Sequence, residues 1–138
     1  MSMMKIFDIS GSAVSSQSQR LNVVASNLAN VDTVAGPDGK AYKAREVTFQ
    51  PVLMNTPDGA PGAGVRVSGV TENQAPGRKV HDPANPSADA DGYVTYSNVN
   101  AVDEMVNMIS ASRSYQNNIE VMNTAKNLLM KTLQMGQG

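Results

Sequence analysis

The sequence contains no cysteine, no tryptophan and a single histidine among its 138 residues. Without cysteine the chain forms neither disulfides nor cysteine-ligated zinc or iron–sulfur sites, and it has no thiol nucleophile. Eleven basic and twelve acidic residues give a formal net charge of -1, so no overall positive field draws the chain to nucleic acid or anionic lipid. We therefore expect neither of those partners.

The N-terminal residues do not form a secretory signal peptide, because Asp8 interrupts the apolar stretch that such a signal requires. No run approaches the roughly 18 apolar residues of a membrane-spanning helix. By these general rules the sequence predicts a soluble, cytosolic protein with no direct membrane insertion.

Proline and glycine divide the chain into three segments. Residues 1–34 contain no proline and only one glycine, Gly11, and residues 99–135 contain neither; all seven prolines and most of the glycines lie between them. Because both residues interrupt helices, the sequence predicts an N-terminal helical segment over 1–34, a central segment over 35–98 and a C-terminal helical segment over 99–138.

Apolar residues in both helical segments recur at alternating spacings of four and three, which is typical of the core positions of a coiled coil. The first segment places Phe7, Val14, Leu21, Val24 and Leu28 on this stripe. The second segment places on it Met105, Met108, Tyr115, Ile119, Met122, Leu129 and Leu133. The two stripes are expected either to pair as the protein's own antiparallel core or to bind neighbouring subunits.

The central segment alternates apolar and polar residues over short runs, which predicts three to five short strands. The runs centre on Val47 and Phe49, on Val65 and Val67, and on Val94 and Tyr96. Pro51 is expected to cut the first run. The predicted fold is α+β, with long terminal helices forming a coiled-coil-like pair around a small central β-rich domain.

Catalytic and metal-binding signals are weak. His81 stands beside Asp82, but such a neighbouring pair in a loop is typical of turns, and no glycine-framed serine accompanies it. Asp82, Asp89 and Asp91 offer three carboxylates, yet the glutamate of a calcium loop is missing. We predict no catalytic, cofactor-binding or metal-binding residue. A binding module with a ligand or metal in its central loops, and a hydrolase using His81, remain the alternatives.

A small basic group formed by Lys40, Lys43 and Arg45 lies beside Tyr42. The aromatic residues that alternate with basic ones in nucleic-acid-binding modules are absent here. The group therefore predicts a solvated strand face.

Several stretches carry a family resemblance. The motif SNLAN (Ser26, Asn27, Leu28, Ala29 and Asn30) ends the N-terminal helix, and a second amphipathic helix ends the chain. This pairing resembles the bacterial flagellar axial family of rod and hook proteins. Further similar stretches are IFDISGSA, GPDGKAYKAREVTFQ, ADADGYV and SASRSYQ. Within that family the chain is most similar to subunits of the proximal rod.

The resemblance implies a structural subunit, without enzymatic activity, that polymerises through its terminal helices into the drive shaft and export-channel wall of the periplasmic rod. The implied partners are like subunits, the other proximal and distal rod subunits, the protein joining the rod to the hook side and the export gate, and the flagellar type III export apparatus. Export without a cleaved signal is also implied, which replaces the cytosolic expectation.

Overall fold

The computed structural model describes residues 3–54, 59 and 61–137. The order of elements is α1 (Met3–Ala29), β1 (Arg45–Met54), β2 (Gly62–Glu72), β3 (Lys79–His81), β4 (Tyr93–Thr95) and α2 (Ala101–Gly136). Two long terminal helices flank four strands in the sequence, which confirms the predicted α+β fold. Part of the turn-rich stretch between β1 and β2 lies outside the described residues.

The first helix ends at Ala29, before the predicted boundary at residue 34. The side-chain amide of Asn30 donates to the carbonyl oxygen of Ser26 at 2.8 Å, so it satisfies one of the terminal carbonyls of α1. The second helix begins after Asn100, whose Oδ1 accepts hydrogen bonds from the N–H groups of Val102 and Asp103 at 3.1 and 3.2 Å. This is the usual N-cap arrangement.

The strands form two separate two-stranded sheets, β1 with β2 and β3 with β4. In the β3–β4 sheet, Val80 pairs with Val94 in antiparallel register. Contrary to the expectation from Pro51, β1 continues through that residue to Met54. A two-stranded sheet leaves one side of each strand without a partner, and a proline is tolerated where its missing N–H would have faced outward.

The two helices pack against each other, as the sequence predicted. Gly11 of α1 lies opposite Met122 of α2, with 3.9 Å between the methionine Cε and the position that a Cβ would take at Gly11. Asn27 contacts Glu104 by a hydrogen bond. The first pair joins an early residue of α1 to a late residue of α2, and the second pair does the reverse, so the helices run antiparallel.

Two compact units make up the chain, and both helices contribute to each unit. The first consists of Met1–Leu21, Thr48–Gly69 and Ser110–Gly138, and the second of Asn22–Val47 and Val70–Ile109. These units do not coincide with the three sequence segments, because each unit combines helical and strand residues.

In the first unit, α1 contacts β2 through hydroxyl groups. Ser12 Oγ accepts the N–H of Val65 at 3.1 Å, and Ser16 Oγ donates to the carbonyl oxygen of the same residue at 3.2 Å. Gly62 lets β2 come close to α1, because a Cβ at this position would overlap the buried side chain of Lys5. Serines of a polar helix therefore bind the backbone of a strand.

In the second unit, Asn98 holds three loop segments together. Its Oδ1 accepts the N–H of Ala44 at 2.6 Å, and its Nδ2 donates to the carbonyl oxygens of Asn73 and Ala75 at 2.8 and 2.9 Å. The apolar centre of this unit includes Val94, whose side chain is fully buried. Because backbone groups are satisfied by side chains, the irregular segments have fixed positions.

Candidate assembly interface

Asn27 of α1 has 0% of its surface exposed, and its side chain makes four hydrogen bonds. Its Oδ1 accepts the N–H of Arg45 and the hydroxyl of Tyr42, each at 2.9 Å. Its Nδ2 donates to the carbonyl oxygen of Arg45 at 2.8 Å and to a carboxylate oxygen of Glu104 at 3.1 Å. The single amide therefore joins the end of α1 to the start of β1 and to the first turn of α2.

The rest of the SNLAN motif also makes contacts within the chain. The hydroxyls of Ser26 and Tyr42 lie 3.1 Å apart in a hydrogen bond, and Asn30 closes the end of the helix. Leu28 is half-buried, whereas Ala29 is exposed. The described contacts of the motif hold the end of α1 in place within the second unit.

The predicted interface positions of α1 differ in exposure. Val24 is buried within the chain, and Val14, Leu21 and Leu28 are half-buried. Phe7 is exposed. Of these five residues, Phe7 has the largest surface free for a neighbouring molecule.

The predicted positions of α2 divide in the same way. Met105, Met108 and Leu133 are exposed, with 59% exposure at Leu133. Half-buried positions are Tyr115, Ile119, Met122 and Leu129. The side chains of α2 that are most deeply buried are instead Ala111 and Ala125. The inner face of α2 therefore uses small residues, which permit the close approach of another element.

An apolar stripe at the start of α2 lies outside the chain's own core. Val102, Met105, Val106 and Ile109 are 68%, 52%, 60% and 54% exposed. Their spacing of three and four residues places them on one face of the helix. Three of these four, Val102, Val106 and Ile109, were not among the predicted interface residues. The sequence did carry a signal for them, because Val106 and Ile109 directly follow the predicted positions Met105 and Met108 and so repeat their spacing.

In the structure His81 is the last residue of β3. It is exposed and packs edge-on against Tyr93, with ring centroids 5.0 Å apart and an interplanar angle of 71°. Neighbouring Asp82 contributes its backbone N–H to the carbonyl oxygen of Gly92 at 2.9 Å. These contacts describe a turn between β3 and β4.

The acidic loop is organised by hydrogen bonds from backbone N–H groups to the side chain of Asp89. Asp89 Oδ1 accepts the N–H groups of Asp91 and Tyr93 at 3.0 and 2.9 Å, and Gly92 has a φ of 84°. Within the part of the chain that the structure describes, no three acidic or histidine side chains converge as metal ligands. Turn formation accounts for these residues.

The basic group lines an open cavity of about 670 Å³ in the second unit. Lys43 Nζ donates to the side-chain oxygen of Gln74, and the Arg45 guanidinium lies 6.0 Å from the centroid of the Tyr42 ring. Lys40, Lys43 and Arg45 are exposed. They form a solvated surface, but the predicted strand face is wrong for two of them, because Lys40 and Lys43 precede β1 and only Arg45 lies in it.

Neither described helix has a stretch apolar and long enough to cross a bilayer.

Comparison with known proteins connects both ends of the chain to one kind of protein. Residues 7–37 match the family model described as flagella basal body rod protein, and residues 90–135 match the one described as flagellar basal body rod FlgEFG protein C-terminal. The flagellar basal-body rod protein FlgC of Escherichia coli O6:H1 is 57% identical to the chain, covering 99% of the chain and 100% of the relative. The chain belongs to the FlgC family of flagellar basal-body rod proteins.

Other FlgC proteins extend this similarity across a range of identities. The relative from Salmonella typhimurium is 56% identical and that from Buchnera aphidicola subsp. Baizongia pistaciae 38%, each covering 99% of this chain and 100% of the relative. The chain is a structural subunit of the basal-body rod and associates with other rod components. This family of structural proteins is not a family of enzymes.

The two family models coincide with the polar and apolar features described above. The N-terminal model covers most of α1, including the serines that contact β2 and the SNLAN motif. The C-terminal model covers β4 and nearly all of α2, including the exposed apolar stripe.

Proposed function

We propose that this FlgC-family subunit polymerises into the rod through its terminal helices. The supporting observation is the stripe formed by Val102, Met105, Val106 and Ile109, each more than half exposed on α2. The intrachain contact of α2 uses other residues, so pairing of the two helices within the chain does not exhaust the apolar surface of α2.

The energy available from this stripe is appreciable. Full burial of an aliphatic side chain contributes about 1.5–3 kcal/mol, so burying the exposed half of each of the four gives about 1 kcal/mol per residue. A contact of this size is weak for a single pair of molecules. It becomes sufficient for stable assembly when each subunit contacts several neighbours, because the binding free energies of the separate contacts then act together.

The interface positions predicted from the sequence also belong to this proposal. Phe7, Met108 and Leu133 are further exposed apolar side chains on the two helices. Leu21 and Ile119 are half-buried, so each would contact the other helix of the chain with one part of its side chain and a neighbouring subunit with the rest. Methionine suits contacts with neighbours that are not identical, because its side chain adapts its shape.

The proposed partners are like subunits, the other proximal and distal rod subunits, and the protein that joins the rod to the hook side and the export gate. We place the assembled subunit in the periplasmic rod, as part of the drive shaft and of the wall of the export channel. It reaches that position through the flagellar type III export apparatus without cleavage of a signal. The chain carries out no reaction.

The experiment is a substitution in the exposed stripe. Val106→Asp should prevent incorporation of the subunit into isolated basal bodies and abolish motility, because a carboxylate would be buried at the contact without a partner. Val106 is 60% exposed in the free chain, so the variant should keep the helical circular dichroism and thermal midpoint of the parent.

Asn117→Asp is the matched control, because it adds the same charge at an exposed polar position of the same helix. This variant should assemble normally. Normal motility of Val106→Asp, with normal amounts of the subunit in basal bodies, would contradict the proposed interface.

A further inference from the structure

Three cations, those of Lys40, Lys43 and Arg45, line the cavity of about 670 Å³ in the second unit. Glu72 supplies the one carboxylate of the lining, so the net charge of the cavity is positive. Within the described residues, none of the three cations forms an ion pair. Asn98 also lines the cavity, and its hydrogen bonds to three backbone groups of the surrounding segments hold the walls in place. The cavity is therefore a preformed site for a negatively charged group.

The loop between β3 and β4 carries the opposite charge. Residues 82–92 contain Asp82, Asp89 and Asp91 and no basic residue. Asp89 Oδ1 accepts the N–H groups of Asp91 and Tyr93, so the loop has a fixed shape. Asp91 is exposed, and its carboxylate makes no ion pair or hydrogen bond within the described residues. The loop therefore presents a carboxylate that is in position before any partner arrives.

We propose that the cavity binds the acidic loop of a second copy of the chain. Charge complementarity favours that occupant, because the three cations and the three loop carboxylates occur on one chain and neither set forms ion pairs within its described residues. The loop and the cavity are different surfaces, so the contact is heterologous, and each pair of copies keeps one loop and one cavity free for the next copy. Such a contact can repeat from copy to copy in a rod.

This contact is separate from the one made by the helices. It uses no residue of α1 or α2, and of the proposed function it needs only the association of like subunits. An exposed ion pair changes a binding equilibrium by about 1.4- to 5-fold. Both surfaces are held by hydrogen bonds within the chain, so binding orders few additional groups. The contact therefore sets the relative orientation of neighbouring copies, while the helices supply most of the binding energy.

The test reverses charges in the full chain and measures the amount of subunit in isolated basal bodies. Lys40→Glu changes the cavity, and Asp91→Lys changes the loop. Neither side chain makes a hydrogen bond or ion pair within the described residues, so both variants should keep the thermal midpoint of the parent. Lys79→Glu is the matched control, because Lys79 is an exposed lysine of the same unit outside the cavity. We expect each of the first two variants to be incorporated at least about threefold less than the control.

Restoration of assembly identifies the partner. Lys40→Glu and Asp91→Lys combined in one chain should return incorporation to within about twofold of the control, because loop and cavity again carry opposite charges at these positions. Co-expression of the two single variants should restore it as well, because the loop of each then fits the cavity of the other.

Three results would overturn the inference. The first is incorporation of the single variants at the level of Lys79→Glu. The second is a loss that neither the combined chain nor co-expression restores, which would indicate a different partner. The third is restoration in the combined chain but not on co-expression, which would indicate a contact within one chain. Val106→Asp tests the helix contact separately, so the two proposals can fail independently.

Discussion

Replacement of Asn27 by alanine gives the sharpest test of what holds the end of α1 in place within the second unit. The change removes all four hydrogen bonds of the side chain while keeping the helix backbone. Two of the partners, the N–H and the carbonyl oxygen of Arg45, are backbone groups. The other two belong to Tyr42 and Glu104, which are partly exposed and can bond to water instead.

The expected cost follows from the two orphaned backbone groups. A hydrogen bond lost at a part-buried site costs about 1 kcal/mol, and Arg45 is exposed, so the two backbone groups together cost about 2 kcal/mol. Alanine favours a helix over asparagine by about 0.5 kcal/mol, which offsets a little of that loss. We therefore expect Asn27→Ala to lower the free energy of unfolding by about 1–2 kcal/mol, which is a measurable part of the 5–15 kcal/mol typical of a domain.

Urea unfolding of the full chain, followed by far-ultraviolet circular dichroism, measures this difference. Asn22→Ala is the matched control, because Asn22 lies on the same helix and is exposed. The control should change stability by no more than about 0.5 kcal/mol. If Asn27→Ala unfolds at the same urea concentration as Asn22→Ala, the hydrogen bonds of Asn27 do not stabilise the protein and the reasoning is wrong.

Three further predictions concern other positions. Gly77→Ala should destabilise by about 1–3 kcal/mol in thermal unfolding, because its Cβ would overlap the carbonyl oxygen of Tyr96; an unchanged midpoint would show that this contact is not tight. Asn100→Ala should cost about 1 kcal/mol and reduce the helical signal of α2, since the N-cap is lost; a fully retained signal and midpoint would argue against the cap. His81→Ala should leave motility unchanged, and a non-motile strain that still assembles its basal bodies would reopen a catalytic or binding role for this residue.

The positions of the helices and strands followed well from the sequence, because proline and glycine act on the local backbone. The central segment contains all seven prolines, and the structure places its strands there. The runs around Val47, Val65 and Val94 each became part of a strand. Pro51 misled the prediction, because its effect depends on whether that side of the strand has a neighbour.

The contact face of α2 could not be predicted in the same way. The apolar spacing placed Met105 and Met108 on a stripe that was expected either to form the chain's own core or to bind neighbouring subunits; both are exposed, and the buried residues of α2 are Ala111 and Ala125. Small side chains are buried where another element approaches closely, which is a property of the whole fold. Hydrophobic periodicity alone does not distinguish the chain's own core from a surface for its neighbours.

The polar residues of α1 show the same limit more clearly. Ser12, Ser16 and Asn27 would be assigned to solvent by their polarity, but each binds the backbone of a strand distant in sequence. Asn27 in particular attaches the end of α1 to Arg45 of β1 and to Glu104 of α2.

The most direct test of assembly through the helices uses the absence of cysteine in this chain. A photoreactive cross-linker attached to Val106→Cys in the full-length subunit should, in isolated basal bodies, label a neighbouring rod subunit or a second copy of the chain. The same reagent attached to Asn117→Cys on the same helix serves as the positional comparison and should label them much less. A subunit that is present in the rod but gives no cross-link from position 106 would contradict the proposed role of α2.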